Sequence, residues 1–180
     1  MYPPKNIILV KQICEVLYSN EVNYLRRGNL QMNLNEVLES KGFDLKLKTK
    51  LLRHADKKYD VNKIYSEGMI EIYQGCQKKP IFKYCDYIIS FIGTENKSAK
   101  FIGIYEIVKV KDIKDAKLPD NFTYPEMFEE FKDGCFYEFE ELHIADDLKE
   151  KLIINWGNAT LAWYQWLVGK KEPKDVISYL

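Results

Sequence analysis

The sequence predicts an α+β fold built on a small, twisted, barrel-like antiparallel sheet with flanking helices. Three observations carry that expectation: five or six short segments rich in β-branched and aromatic residues, helical periodicity beside them, and no regular strand–helix alternation of the kind a doubly wound parallel sheet needs. At 180 residues the chain has the size of one domain, and such a domain buries roughly two-thirds of the surface its unfolded form exposes. Residues 1–180 are therefore read as a single domain, with 1–42 a helical N-terminal extension packed on the remainder.

Taken in order, Ile7, Ile8, Val10, Ile13, Val16 and Leu17 recur at helical spacing over residues 6–18. Asn33, with Glu36 three residues on and Gly42 beyond the apolar positions Leu34, Val37 and Leu38, marks a short capped helix. Phe43 to Lys48 alternates apolar and charged residues as a half-buried strand does. Asp60 is placed to cap a helix running to about Gln77, which Gly68 and Gly75 weaken. Tyr87–Gly93 and Ala99–Val110 flank the turn residues 94–98 and read as a long β-hairpin. The polar stretch 111–133, interrupted by Pro119 and Pro125, fits a surface excursion with one short helix near Glu126–Phe131. Strands are expected over Cys135–Leu142 and Lys151–Trp156, a helix over Asn158–Val168, and a closing strand near Val176–Leu180.

Charge is balanced overall, with 27 basic and 27 acidic side chains. Residues 1–117 carry 21 Lys and Arg against 14 Asp and Glu, and residues 118–180 carry 6 against 13, which hints at a basic face. The apolar runs are shorter than the roughly 20 residues that span a bilayer, so no membrane role is expected. Nothing resembles a secretory signal, and cytoplasmic residence with reduced thiols is expected. The four cysteines form no CxxC pair and two histidines cannot complete a zinc centre, so neither metal nor other cofactor is expected.

Catalytic signatures are missing. There is no GxSxG, no Walker A loop and no GxGxxG. Gly103-Ile104-Tyr105 matches the first half of a GIY-YIG nuclease signature, but Tyr87-Ile88-Ile89 lies upstream of it, in the wrong order. No enzyme activity is expected of this chain, and any catalytic domain would lie outside it. Glu138, Glu140 and Glu141 read as a solvated strand face.

Two regions remain as binding candidates. Lys46, Lys48, Lys50, Arg53, His54, Lys57 and Lys58 fall within thirteen residues, and strand alternation would put the first three on one face, a stripe able to follow phosphates. A solvated strand edge protected by lysines is the alternative. The second region is Asn155-Trp156-Gly157 with Trp163, Gln165 and Trp166: Trp offers a stacking surface and Asn or Gln an amide for a base edge. Core packing is the competing reading for each Trp, and at 158–168 helical Trp163 and Trp166 would share a face.

Arg53-His54, Tyr73-Gln74, Phe82, Ser90-Phe91-Ile92-Gly93, Phe101-Ile102-Gly103-Ile104-Tyr105 and Ile154-Asn155-Trp156-Gly157 with Trp163 and Gln165 together resemble, over residues 43–180, a domain found ahead of the catalytic part in bacterial GIY-YIG nuclease and restriction-type proteins. Where that pattern has Asp before Trp-Gly, this chain has Asn155. The resemblance implies a PUA/EVE/YTH-like barrel that reads RNA or modified DNA bases, as specificity domains of McrB-like restriction proteins do. It implies a non-catalytic DNA-binding specificity module, serving a nuclease or NTPase effector domain or subunit and reading a methylated or flipped base. Lys46, Lys48, Lys50, Arg53 and His54 would hold the backbone, and Tyr105, Asn155, Trp156, Trp163 and Gln165 would form the base pocket. A PUA-like RNA-binding domain, or a protein-interaction domain with an acidic C-terminal third, are the alternatives.

Overall fold

A computed structural model describes residues 32–55, 58–157, 164–169 and 174–179. The helix expected over residues 6–18, residues 1–31 of the extension, Lys57 and Trp163 lie outside them.

Helix α1 (Leu34–Ser40) begins at a reciprocal cap. Glu36 N donates to Asn33 Oδ1 at 3.2 Å, and Asn33 N donates to Glu36 Oε2 at 2.9 Å. Two of the donors that a helix start leaves unpaired are thereby satisfied. The expected strand over 43–48 is instead a turn: Lys46 N donates to Asp44 Oδ1 at 2.9 Å and Leu47 N to Asp44 O at 3.1 Å. The aspartate captures the backbone locally before a ladder can form, and strand β1 starts only at Thr49 (Thr49–His54).

The long helix expected after Asp60 is two. In α2 (Val61–Ser66) Lys63 N donates to Asp60 Oδ1 at 2.9 Å. It closes as Gly68 N donates to Tyr65 O and Met69 N to Ile64 O, both at 3.0 Å, with Gly68 at φ +70°. That pair of bonds is a Schellman stop, and the left-handed residue it needs is supplied at little cost by glycine. Helix α3 (Ile70–Gly75) follows and runs directly into β2 (Cys76–Gln77).

The hairpin is present as β3 (Tyr87–Gly93) and β4 (Ser98–Asp112). Asn96 and Lys97 turn it at φ 56° and 62°. Next come α4 (Glu126–Glu130), β5 (Cys135–Leu142), β6 (Ile153–Asn155), β7 (Tyr164–Trp166) and β8 (Val176–Ser178). The helix expected over 158–168 is overturned where it can be seen, since Tyr164–Trp166 pairs with β1 as a strand; residues 158–163 lie outside the described set.

These eight strands form one strongly curled half-barrel sheet in the order β2-β5-β4-β3-β1-β7, with β6 pairing the start of β4 and β8 pairing β6. The sheet is mixed. β1 and β3 run parallel, Leu51 opposite Ile89, whereas an antiparallel sheet was expected. The connection through α2 and α3 is long enough to return the chain to the same end, as a parallel pair requires.

The crossover covers one face of the sheet and α1 covers the other. On the α1 face, Leu51, Ile89, Phe91, Ile104 and Ile154 pack with Leu34, Val37 and Leu38. On the crossover face, Leu52, Ile88, Ile92 and Tyr105 pack with Val61, Ile64 and Ile70. The stretch expected to be a surface excursion also belongs here, with Ile113, Phe122 and Met127 buried. Each buried large apolar side chain contributes about 1.5–3 kcal/mol. No helix among the described residues is long and apolar enough to cross a membrane.

Candidate functional site

Of the five residues expected to hold a phosphate backbone, Lys46 and Lys48 are exposed, in the turn before β1. They do not share a strand face with Lys50, because the strand begins after them. Lys50 is buried, 7% exposed, and its Nζ donates to Ile81 O, so it is not free to meet a phosphate.

His54 is internal too. Its Nε2 lies 3.3 Å from Gln74 Oε1, which also accepts from Ser90 Oγ at 2.7 Å. Burial pushes the imidazole pKa down to about 4, the Gln74 hydrogen bond opposing only in part. At neutral pH His54 is an uncharged tie between β1, β3 and α3, not a phosphate ligand. Gln74 Nε2 has no hydrogen-bond partner among the described residues. Arg53 alternates to the opposite face, where its guanidinium lies across Gly93 so closely that a Cβ there would collide with it. Its Nε is buried and lacks a partner among the described residues.

Tyr105, Asn155, Trp156 and Gln165, the described members of the expected base pocket, are not brought together. Tyr105 is 1% exposed, and burial raises its phenol pKa well above the usual value. It packs beneath α3 near Glu141, itself paired with Lys149 at 2.8 Å. Gly103 makes room for this arrangement: at φ +153°, a Cβ would sit 2.7 Å from Glu141 Oε1 and 2.8 Å from Tyr105 Oη. Trp156 is 3% exposed in the other core, against Phe91 at a centroid distance of 5.8 Å. Neither ring has a face open to a base. Asn155 is exposed, but its Oδ1 accepts from Gly157 N at 3.0 Å and its strand pairs with β4 and β8, away from β7. Gln165 sits opposite Leu51, on the α1 side of the sheet.

Another group is brought together instead, at the sheet edge. β7 is bonded to β1 with Lys50 opposite Trp166 and Leu52 opposite Tyr164. It is anchored where Leu167 N donates to Thr49 O at 3.0 Å and the Leu167 side chain enters the core. Strand alternation then sends Tyr164 and Trp166 to the face of Lys50 and Leu52. The two residues are 36% and 44% exposed, and Lys50 Nζ lies 4.9 Å from both ring centroids. A desolvated ammonium against two aromatic rings is worth up to about 2 kcal/mol per ring. It holds the pair in place without a covering layer of apolar side chains.

The loop that receives the Lys50 hydrogen bond extends the patch with exposed Lys79, Lys83 and Tyr84, Lys83 Nζ lying 5.4 Å over the Tyr84 ring. Lys48 O accepts from Asp86 N at 2.8 Å, fixing the turn carrying Lys46 and Lys48 beside this loop. Segments 44–50 and 78–86 together hold six lysines against two aspartates. Lys78 pairs with Glu130 at 2.9 Å; Lys46, Lys48, Lys79 and Lys83 form no ion pair with another described residue. Sequence reasoning missed Tyr164 and Tyr84. The signal was the alternation Tyr164-Gln165-Trp166, which the helical spacing of Trp163 and Trp166 outweighed.

Among the described residues, no three His, Cys, Asp or Glu side chains form a group able to hold a metal. Burial pushes the Cys76 thiol up to about 12 and the Cys85 thiol to about 11, where neither is a nucleophile at neutral pH. No family model matches the chain, and no curated protein and no solved structure matches it either.

Proposed function

We propose that this chain is a non-catalytic nucleic-acid recognition module, binding through the β1–β7 edge and the loop beside it. One observation carries the reading: two exposed aromatic side chains, Tyr164 and Trp166, backed by a buried ammonium and bordered by exposed lysines that form no ion pair with another described residue. Exposed rings stack on bases and exposed cations release counterions from phosphates, and the two together are what sequence-tolerant nucleic-acid binders combine. Lys46, Lys48, Lys79 and Lys83 take the backbone; Tyr164 and Trp166 take bases. Lys50 backs this surface from within the fold.

The resemblance to recognition domains of restriction-type proteins favours DNA as the partner and a nuclease or NTPase effector carried outside this chain. A PUA-like relationship of the curled sheet belongs to the same proposal. Fluorescence anisotropy at two salt concentrations tests it, with labelled duplexes bearing unmodified or methylated bases, single-stranded DNA and single-stranded RNA. Saturable binding that weakens with salt, and weakens further in Lys46→Glu/Lys48→Glu and Lys83→Glu, is expected. Absence of binding at low salt would overturn the reading, and so would binding indifferent to these charge reversals.

A further inference from the structure

Resting on that reading, the edge also selects among nucleic acids, and we infer that its ligand is a single strand with unstacked bases, held by ring stacking without readout of base identity. Tyr164 and Trp166 are two positions apart on one strand face, so their attachment points are about 6.6 Å apart at the usual rise of a β-strand. Successive nucleotides of a duplex strand rise only about 3.4 Å. Two adjacent bases can each meet a ring only if they are drawn apart to about twice the duplex spacing, and a single strand does this without breaking base pairs. In a duplex the base faces are covered by neighbouring pairs and only the edges are offered to a protein.

The inner approach to each ring is taken by Lys50 Nζ, 4.9 Å from both centroids, which leaves an outer side for a base. Among the described residues, neither amide that the sequence offered lies beside the rings. Gln165, between them in sequence, points to the opposite side of the sheet, and Asn155 is on a strand that does not border β7. Stacking without such amides tolerates any base, since every base has a π-face. The lysine excess of segments 44–50 and 78–86 fits a phosphate backbone following the edge.

The test uses the full chain and Trp fluorescence with anisotropy, against oligothymidylate, oligouridylate, a mixed-sequence single strand and its matched duplex. Single strands are expected to bind at least about tenfold more tightly than the duplex, with similar affinity across sequences and quenching of exposed Trp emission. Trp166→Ala and Tyr164→Ala should each weaken single-strand binding roughly 5- to 150-fold, the range that stacking on one ring provides. Trp166→Phe and Tyr164→Phe keep a ring and should retain most of the affinity, and Gln165→Ala should bind as the parent does. Thermal midpoints identify any variant that fails to fold, and the parent's preference for single strands over the matched duplex decides the matter in that case. Equal or tighter binding to duplex, or ring-removal variants that fold and bind like the parent, would sink the single-strand inference while leaving nucleic-acid binding standing. Failure of every nucleic acid to bind at low salt would sink both.

Discussion

His54 shows how a residue type suggestive of ligand contact is spent on the interior. Its pKa lies at about 4 when folded, against about 6.5 in an unfolded chain. Above pH 6.5 both states are neutral there and the full stability is present. As pH falls from about 6.5 towards 4 the unfolded chain takes up a proton that the folded chain refuses, so stability is lost by up to about 3 kcal/mol and then levels off. Urea midpoints at pH 7.5 and 4.5 check this: His54→Gln should lose markedly less stability over the interval, and an identical loss would show that the histidine contributes nothing. Gly103 is a second residue-scale constraint. Gly103→Ala forces a Cβ into the space of Glu141 Oε1 and Tyr105 Oη at φ +153°, and should cost about 2–3 kcal/mol in a denaturant titration. Lys50→Met removes the donor to Ile81 O and the cation between the rings. A loss of about 2 kcal/mol of stability is expected, with weaker oligonucleotide binding because Tyr164 and Trp166 lose their backing.

At the scale of elements, stops and starts are local chemistry. Asn33→Ala deletes one half of the α1 capping box and should cost about 1 kcal/mol, readable as a drop in the thermal midpoint. Such features were legible in the sequence because a few neighbouring residues determine them: the cap at Asn33, the hairpin around Asn96, strands β5 and β8, and the short helix α4. Elements that depend on distant partners were not. Leu45 and Leu47 alternate with lysines as a strand would, yet Asp44 bends the backbone first. Gly68 was recognised as a weakness and acts as a full stop. The parallel pairing of β1 with β3 has no signature in either strand, and β7 is three residues whose strand character comes from docking beside β1. The same distinction explains the binding residues. The lysine-rich run before β1 could be seen, whereas the burial of Trp156 and Tyr105 comes from layers packed on both faces of the sheet, which no local pattern announces.

On the scale of the whole molecule, a neutral chain can still bind a polyanion if its charges segregate. Segments 44–50 and 78–86 collect lysines at one edge, while Glu138 is neutralised by Lys111 at 2.5 Å and Glu141 by Lys149 at 2.8 Å on the far strands. With about four phosphates contacted, one for each of Lys46, Lys48, Lys79 and Lys83, the logarithm of the binding constant should fall with the logarithm of salt concentration at a slope of roughly −3 for a single strand. Lys83→Glu should flatten that slope by close to one unit, measured by titrations between low and moderate salt.

The route by which β1 enters the sheet also sets an order of assembly. β3 and β4 are joined by four residues, and a hairpin of that kind closes in microseconds. β1 must wait for the chain through α2 and α3 to loop back, and β7, which among the described strands bonds only to β1, cannot form until β1 has arrived. Folding rates of hairpin variants should therefore move with stability, while variants of Leu167, which anchors β7, should change mainly the rate of unfolding. The surface proposed to hold nucleic acid is then the last part of the sheet to form and the first to open, so an oligonucleotide bound there should slow unfolding far more than it speeds folding.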